Sequence, residues 1–99
     1  MKNFNERCYT ILKKVPLGKV TTYKALAEKL GTKAYRTVGN AMNKNPYAPE
    51  VPCHRVINSH GFVGQFTKGT QTKIKMLKAE GIFIDKKGFI DLTKYMHMF

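Results

Sequence analysis

Hydrophobic residues near the start of the chain recur at the spacing of an amphipathic helix. Apolar side chains at positions i, i+4, i+7, i+8 and i+11 share one helical face. The first fifteen residues follow this spacing at Phe4, Cys8, Ile11, Leu12 and Val15. Asn3 or Asn5 can cap the first turn of this predicted helix. Pro16, with Gly18 after it, then ends the helix.

A second helix is predicted after a pair of threonines. Thr21 or Thr22 can serve as its N-cap, and Gly31 is a typical residue just beyond a helix end. The apolar positions between them have helical spacing and are Tyr23, Leu26, Ala27 and Leu30.

A third helix is expected from Lys33 to about Lys44, with Thr32 as its cap and Asn45-Pro46 as its end. Its inward-facing residues are Ala34, Val38, Ala41 and Met42. Two helices joined by a tight turn resemble a helix-turn-helix, although any small helical bundle contains such pairs. Basic and small side chains on the third helix favour the DNA-binding interpretation, because small residues let its backbone approach a duplex.

The middle of the chain predicts a rigid loop and a small β element. Residues 46–53 contain Pro46, Pro49 and Pro52, which favour a rigid extended loop. The apolar runs 55–57 and 61–64 flank Asn58-Ser59-His60, so a short β-hairpin is predicted there.

A last strong helix is expected to begin near Gly69 and to end before Gly81. Its inner face carries Ile74, Met76 and Leu77. Residues 82–99 predict a small hairpin and a ragged helical end. The expected fold class is mainly α, with a minor β element.

The charge balance changes this picture. The chain has 18 Lys and Arg residues against 6 Asp and Glu residues, a formal net charge of +12. Such an excess on a small domain suits a polyanion, because phosphates release counterions when lysines neutralise them. A merely solubilising surface is the alternative, and the charge alone does not decide between them.

Length and composition set further limits. Ninety-nine residues allow one domain, expected here to span residues 1–99 without a separate N-terminal domain. The absence of long apolar stretches and of a signal core predicts a cytoplasmic protein that does not bind membranes. Cys8 and Cys53 are too few for a disulfide scaffold and are expected to be thiols. Neither they nor His60 and His97 have the paired spacing of a zinc site, so no metal is expected.

The segment from Pro52 to Val56 has the densest chemistry. Cysteine is a strong nucleophile as a thiolate, which requires a nearby proton acceptor or positive charge. His54 and Arg55 are candidates, although sequence neighbours often point apart. A buried core cysteine beside a surface histidine is the alternative.

Pro52-Cys53-His54-Arg55-Val56 and the residues after it resemble the active-site segment of the O6-alkylguanine-DNA alkyltransferases. Other resembling segments follow in the same order within residues 4–84: residues 15–23 and 36–42, Asn45-Pro46, Leu77 and Glu80-Gly81. This collinear spacing is far more specific than the five-residue motif.

The resemblance implies a winged helix-turn-helix domain with a short β-hairpin. Such a domain binds double-stranded DNA in the minor groove as a monomer and flips out a guanine that carries an O6-alkyl group. The alkyl group would move to Cys53 in one irreversible turnover, which is direct-reversal DNA repair. No metal or organic cofactor is implied.

The resemblance also implies roles for individual catalytic residues. His54 would act through a water as the base for Cys53, and Glu80 would orient and stabilise the imidazolium. Asn45 would brace the turn that carries Cys53.

Substrate and DNA contacts are implied in the same way. Tyr23 would help to rotate the nucleotide and donate to the base, and Arg36 would fill the space that the flipped nucleotide leaves. Val56 would contact the base edge, and the backbone N–H of Thr67 would approach O6. The implied DNA-contacting residues are Thr22, Lys33, Ala34, Arg36, Gly39, Asn40 and Lys44.

Two features of the sequence leave alternatives open: its short length and two residues that differ from the common pattern of the family. Alkyltransferase-like proteins, which bind alkylated DNA but lack the cysteine, share this short length, so a non-catalytic binding protein that recruits another repair pathway is the runner-up. A winged-helix regulator without chemistry is a third possibility. Phe66 and Lys68 differ from the tyrosine and glycine that are common in the family, which puts the tolerance for large alkyl groups in doubt.

Overall fold

A computed structural model describes residues 3–47, 50–64 and 69–99. The helices are α1 (Phe4–Leu12), α2 (Tyr23–Lys29), α3 (Tyr35–Asn43), α4 (Thr70–Ala79) and α5 (Leu92–Tyr95). The strands are β1 (Thr21–Thr22) and β2 (Val56–Ile57), and a 3₁₀ turn covers Cys53–Arg55. The fold is mainly helical, as predicted, and α2 and α3 form the expected helix-turn-helix.

Side-chain caps explain where the first two helices begin. The Asn3 side chain accepts a hydrogen bond from the Glu6 N–H at 2.9 Å. Thr22 Oγ1 accepts one from the Ala25 N–H at 3.0 Å. Both caps satisfy N–H groups that have no partner within the helix, as the sequence predicted.

The third helix begins later than predicted. Its N-cap is Ala34, and α3 starts at Tyr35 rather than at Lys33. The hydroxyl of Thr32 accepts a hydrogen bond from the Ala34 N–H at 3.1 Å, only two residues on. Thr32 therefore stabilises the turn before the helix and does not cap the helix itself.

The predicted hairpin between residues 55–57 and 61–64 is wrong. Strand β2 instead pairs in parallel with β1, with Val56 opposite Thr21 and Ile57 opposite Thr22. Phe62 forms an antiparallel bridge with Phe89. The Asn58 N–H does donate to the Phe62 carbonyl at 2.9 Å, but the strand pairing of both segments is with distant parts of the chain.

The sheet separates two hydrophobic clusters, because neighbouring strand residues point to opposite faces. Val56 belongs to the first cluster, which α1, α2 and α3 build together with Val51 and Cys53. Ile57 belongs to the second, whose other buried members are Val20, Val63, Leu77, Ile82, Ile84 and Ile90. The 3₁₀ turn leads directly into this sheet, and its first residue, Cys53, packs in the first cluster.

Two parts of the C-terminal segment lie beside this second cluster: the turn after Ile84 and the residues after α5. Asp85 Oδ1 accepts hydrogen bonds at 2.9 Å from the N–H groups of Lys87 and Phe89, which closes a tight turn. After α5, the His97 N–H donates to the Val20 carbonyl at 2.8 Å, beside β1. Within the described ranges, no helix has the length and apolarity needed to cross a membrane.

Candidate active site

Cys53 begins the 3₁₀ turn and is 8% exposed. Asn45 joins two described parts of the chain before it: its Nδ2 donates to the Val51 carbonyl at 2.8 Å and its Oδ1 accepts from the Tyr47 N–H at 2.9 Å. The predicted brace is thus present in the geometry, two residues before Cys53. The Asn45 amide thus restrains the segment that leads to Cys53.

His54 and Glu80, which are 26 residues apart in sequence, lie in direct contact. His54 Nε2 is 2.6 Å from Glu80 Oε2, and His54 is 3% exposed. Because the carboxylate can only accept, Nε2 carries the proton when the ring is neutral, and Nδ1 keeps a lone pair. The predicted His54–Glu80 pair is therefore formed, with one ring nitrogen available as a base.

Burial and charge set the protonation of this pair. Burial lowers the pKa of His54, and the hydrogen bond and charge of Glu80 oppose that shift without reversing it. Burial alone would raise the pKa of Glu80, but hydrogen bonds from Arg55 and His54 outweigh it and lower that pKa. At neutral pH the pair consists of a neutral imidazole and an ionised carboxylate.

Arg55 is the first residue whose role the sequence analysis missed. Its Nε donates to Glu80 Oε1 at 2.9 Å and its Nη2 to Oε2 at 3.0 Å, a bidentate pair. Its Nη1 donates to the Val15 carbonyl at 2.8 Å. The sequence suggested Arg55 as a positive charge for Cys53, but the guanidinium instead fixes Glu80 and the loop after α1.

Lys73 is the second missed residue, and no sequence signal distinguishes it from the surface lysines. It lies on α4 with 1% exposure, and its Nζ donates to the Val56 carbonyl at 2.7 Å. Burial lowers its pKa to about 8, while the negative charge of a Cys53 thiolate acts in the opposite direction. A cationic ammonium group thus lies within electrostatic reach of the thiol.

A cleft runs between the helix-turn-helix and the turn at residues 58–60. Two adjoining cavities of about 400 and 450 Å³ share the lining residues Tyr23, Gly39 and Asn58. Burial raises the pKa of Tyr23, and the Cys53 thiolate charge raises it further, so the hydroxyl keeps its proton at neutral pH. The remaining lining residues are Lys24, Tyr35, Arg36, Ser59 and His60 in one cavity and Asn43, Phe62 and Gly64 in the other.

The predicted DNA-contacting residues of the third helix and its approach mostly lie at the surface. The exposed ones are Lys33, Ala34, Arg36, Asn40 and Lys44, and Gly39 is half-buried. Thr22 differs, because it is 4% exposed and its hydroxyl caps α2. The exposed group lies on one helix and its N-terminal approach, a geometry suited to a groove.

Two of the predicted substrate contacts have other outcomes. Val56 is fully buried in the first cluster, and its carbonyl accepts from Lys73, so its side chain does not face the cleft. Thr67 lies outside the described residues, as do Phe66 and Lys68.

Cys8 is fully buried in the core, as predicted. Among the residues that the structure describes, no group of three or more His, Cys, Asp or Glu side chains could hold a metal ion.

Comparison with known proteins supports the resemblance. A family model described as 6-O-methylguanine DNA methyltransferase, DNA binding domain, matches residues 3–82. The methylated-DNA–protein-cysteine methyltransferase of Sulfolobus acidocaldarius is 41% identical over 85 residues, which cover 86% of this chain and 54% of that protein. A similar enzyme of Metallosphaera sedula is 43% identical and matched over 51% of its length. The chain thus spans about half the length of these curated relatives.

Solved structures agree with these matches. S. pombe Atl1, in complex with damaged DNA containing O6-carboxymethylguanine, superposes with a TM-score of 0.84 at 32% identity, covering 99% of both chains. The O6-methylguanine-DNA methyltransferase of Pyrococcus kodakaraensis gives a TM-score of 0.75 at 41% identity, covering 83% of this chain and 48% of that one. The likeness to Atl1 includes the C-terminal residues that the family model does not reach.

Proposed function

The chain belongs to the 6-O-methylguanine DNA methyltransferase family, and we propose that it transfers an alkyl group from O6 of guanine in DNA to its own Cys53. The observation that carries this proposal is that Cys53 directly precedes His54, which forms a buried pair with Glu80. A binding protein needs a lesion pocket but no proton relay. A transferase needs both.

The buried pair can supply the base. His54 is neutral at neutral pH and, with Nε2 donating to Glu80, can accept the Cys53 proton at Nδ1 through a water. The ionised Glu80 then stabilises the imidazolium. Lys73, buried and cationic, stabilises the thiolate electrostatically.

The transfer itself is a displacement at carbon. The Cys53 sulfur forms a bond to the alkyl carbon while the bond from that carbon to O6 breaks, and the bonding electrons stay with guanine. Tyr23, which keeps its proton, lines the cleft and can donate to the base as negative charge develops. Cys53 ends as a thioether, which no group in the described site can cleave, so each molecule acts once.

The charge distribution around α3 supports recognition of double-stranded DNA. Asp and Glu are absent between Glu28 and Glu50, the stretch that contains α3. Arg36 projects from this helix into the cleft, where it can occupy the gap that a flipped nucleotide leaves. We propose that a monomer binds the minor groove through α3, and that no metal or organic cofactor takes part.

Binding without transfer is the second candidate function. The likeness to Atl1 favours it, because that structure, solved with damaged DNA, superposes with a TM-score of 0.84, against 0.75 for the methyltransferase of Pyrococcus kodakaraensis. A protein of this kind would mark alkylated DNA for another repair pathway.

One experiment separates the two functions. The protein is incubated with a duplex oligonucleotide containing O6-methylguanine, and its intact mass is measured. A gain of one methylene unit, mapped to the Cys53 peptide and absent in Cys53→Ser, supports the transferase. The Cys8 peptide is the internal control, since its thiol is fully buried. An unmodified protein that still binds the lesion supports the binding function.

A further inference from the structure

Tyr35 is an exposed aromatic residue on the surface that the proposed function assigns to DNA. It is the first residue of α3 and is 42% exposed. It lines the same cleft as Arg36 and Tyr23, and it is not a member of either hydrophobic cluster of the described residues. A large apolar ring at this position contributes little to the core and remains available to a ligand.

The surroundings of Tyr35 indicate what kind of ligand it contacts. The cleft of about 400 Å³ carries the cations Lys24 and Arg36, and no carboxylate lines it within the described ranges. An aromatic face beside positive charges is the combination that binds nucleobases, with the ring stacking on the base and the cations near the phosphates. Gly39, one turn further along α3, leaves room for close approach.

We propose that Tyr35 stacks on a nucleobase at the gap left by the flipped guanine, beside the inserted Arg36. This inference rests on the proposed recognition of alkylguanine in duplex DNA, whether or not transfer follows. A guanidinium can replace the hydrogen bonds of an extruded base, but only a flat apolar surface restores the stacking that a neighbouring base loses. Tyr35 would thus stabilise the opened duplex and not the reacting atoms.

The test measures binding in the Cys53→Ser background, so that transfer cannot interfere. Tyr35→Ala should weaken binding to a duplex with O6-methylguanine by about fivefold to 100-fold, the range for loss of one base–aromatic stack. Tyr35→Phe should bind like the parent, because stacking needs the ring and not the hydroxyl. Phe83→Ala is the control, since Phe83 is an aromatic residue that is 70% exposed and does not line the cleft.

Two modified duplexes identify the stacked base. One carries an abasic site opposite the lesion, and the other carries it beside the lesion. If the effect of Tyr35→Ala disappears in either duplex, the missing base is the stacking partner and the proposal holds. An effect retained in both duplexes, or equal weakening by Tyr35→Phe, would overturn it.

A failure of this proposal is distinguishable from a failure of the proposed transfer. The binding assay is independent of alkylation, which intact mass measures in the protein with Cys53 present. With that protein, Tyr35→Ala should leave the reaction with a free O6-alkylguanine base unchanged, because no duplex is opened. Equal slowing with the free base and the duplex would assign Tyr35 to the pocket and contradict the stacking role.

Discussion

The buried network of His54, Arg55 and Glu80 and the exposed cleft lined by Tyr23 and Arg36 differ in how their charges are paired. In the network, His54 and Arg55 both donate to the Glu80 carboxylate, and the Arg55–Glu80 contact is the ion pair because the imidazole is neutral at neutral pH. In the cleft, Lys24 and Arg36 have no acidic neighbour in the lining described by the structure. The charges of the network neutralise each other, whereas the cations of the cleft remain available to an external anion.

The few acidic residues explain this contrast. Of the six carboxylates in the chain, Glu80 holds the network together. Asp85 and Asp91 accept hydrogen bonds from backbone N–H groups of their own turns. Three of the six carboxylates are thus held by hydrogen bonds within the fold, and few remain to pair with the lysines of the surface.

Glu80→Gln is expected to have the largest effect, because it breaks the network at its centre. The rate of alkyl transfer at pH 7 should fall on the order of 100-fold, as for loss of a general base. Loss of the charge facing Arg55 should also lower the free energy of unfolding by about 3 kcal/mol. Single-turnover kinetics and urea unfolding measure the two effects.

Two comparisons make this test specific. Raising the pH should restore part of the rate, because hydroxide then replaces the relay, and the exposed Glu28→Gln should behave like wild type. If the variant and wild type show the same rate per folded molecule at every pH, Glu80 is structural and the relay is wrong.

Arg55→Lys separates the structural part of the network from its chemistry. An ammonium group cannot span both Glu80 oxygens and the Val15 carbonyl, so the free energy of unfolding should fall by about 2 kcal/mol. The transfer rate per folded molecule should change less than in Glu80→Gln. Arg7→Lys, at an exposed arginine of α1, is the control. Unchanged stability would show that the bidentate geometry contributes nothing.

Arg36→Ala tests the other side of the comparison. It should slow the reaction with a paired lesion by about tenfold or more, since opening a duplex costs a few kcal/mol that the arginine offsets. The reaction with a free O6-alkylguanine base should keep its rate, and a single-turnover assay on both substrates measures the ratio. Equal losses would place Arg36 in the pocket or the fold.

Lys73→Met tests a buried cation through the pH dependence of stability. Its folded-state pKa is about 8, whereas an unfolded lysine titrates near 10.4. Between these values the unfolded chain binds more protons, so wild-type stability should rise with pH, by up to about 1.4 kcal/mol per pH unit. Lys73→Met should lack that rise, and the exposed Lys75→Met should keep it. Identical unfolding profiles from pH 8 to 10 would contradict the assignment.

The smallest effect is expected from Lys86→Ala with Lys87→Ala. These exposed lysines lie in the turn that Asp85 closes. In the same turn, the Phe89 ring is 6.3 Å from the ring of His60, which lies at the edge of the cleft. Each phosphate contact contributes about 0.9 to the slope of log K against log salt, so the double variant should flatten that slope by roughly one to two. The rate at saturating DNA should not change. A slope equal to that of wild type would place this turn outside the interface.

Much of this molecule could be predicted locally. The caps Asn3 and Thr22 and the helix-turn-helix were predicted correctly, since capping and apolar periodicity depend on residues within one or two turns. The start of α3 was predicted too early, because Thr32 binds a nearer N–H group than a cap would. The motif at Cys53 indicated a nucleophile, and the resemblance supplied Glu80 as the partner of His54, with which it lies in contact.

The sequence by itself determined the family, the mainly helical fold and the excess of positive charge, and it supplied Cys53 as the candidate nucleophile. Only the tertiary structure decided which charges are buried and which are free. Lys73 resembles the other lysines in sequence, yet in the fold it is 1% exposed and donates to the Val56 carbonyl of β2. Arg55 adjoins Cys53 along the chain, yet it binds a carboxylate 25 residues away. The parallel pairing of β1 with β2 likewise joins segments that no local pattern connects. Ionisation and pairing depend on the distance through space between groups and on the water that packing removes, and neither is written in the order of residues.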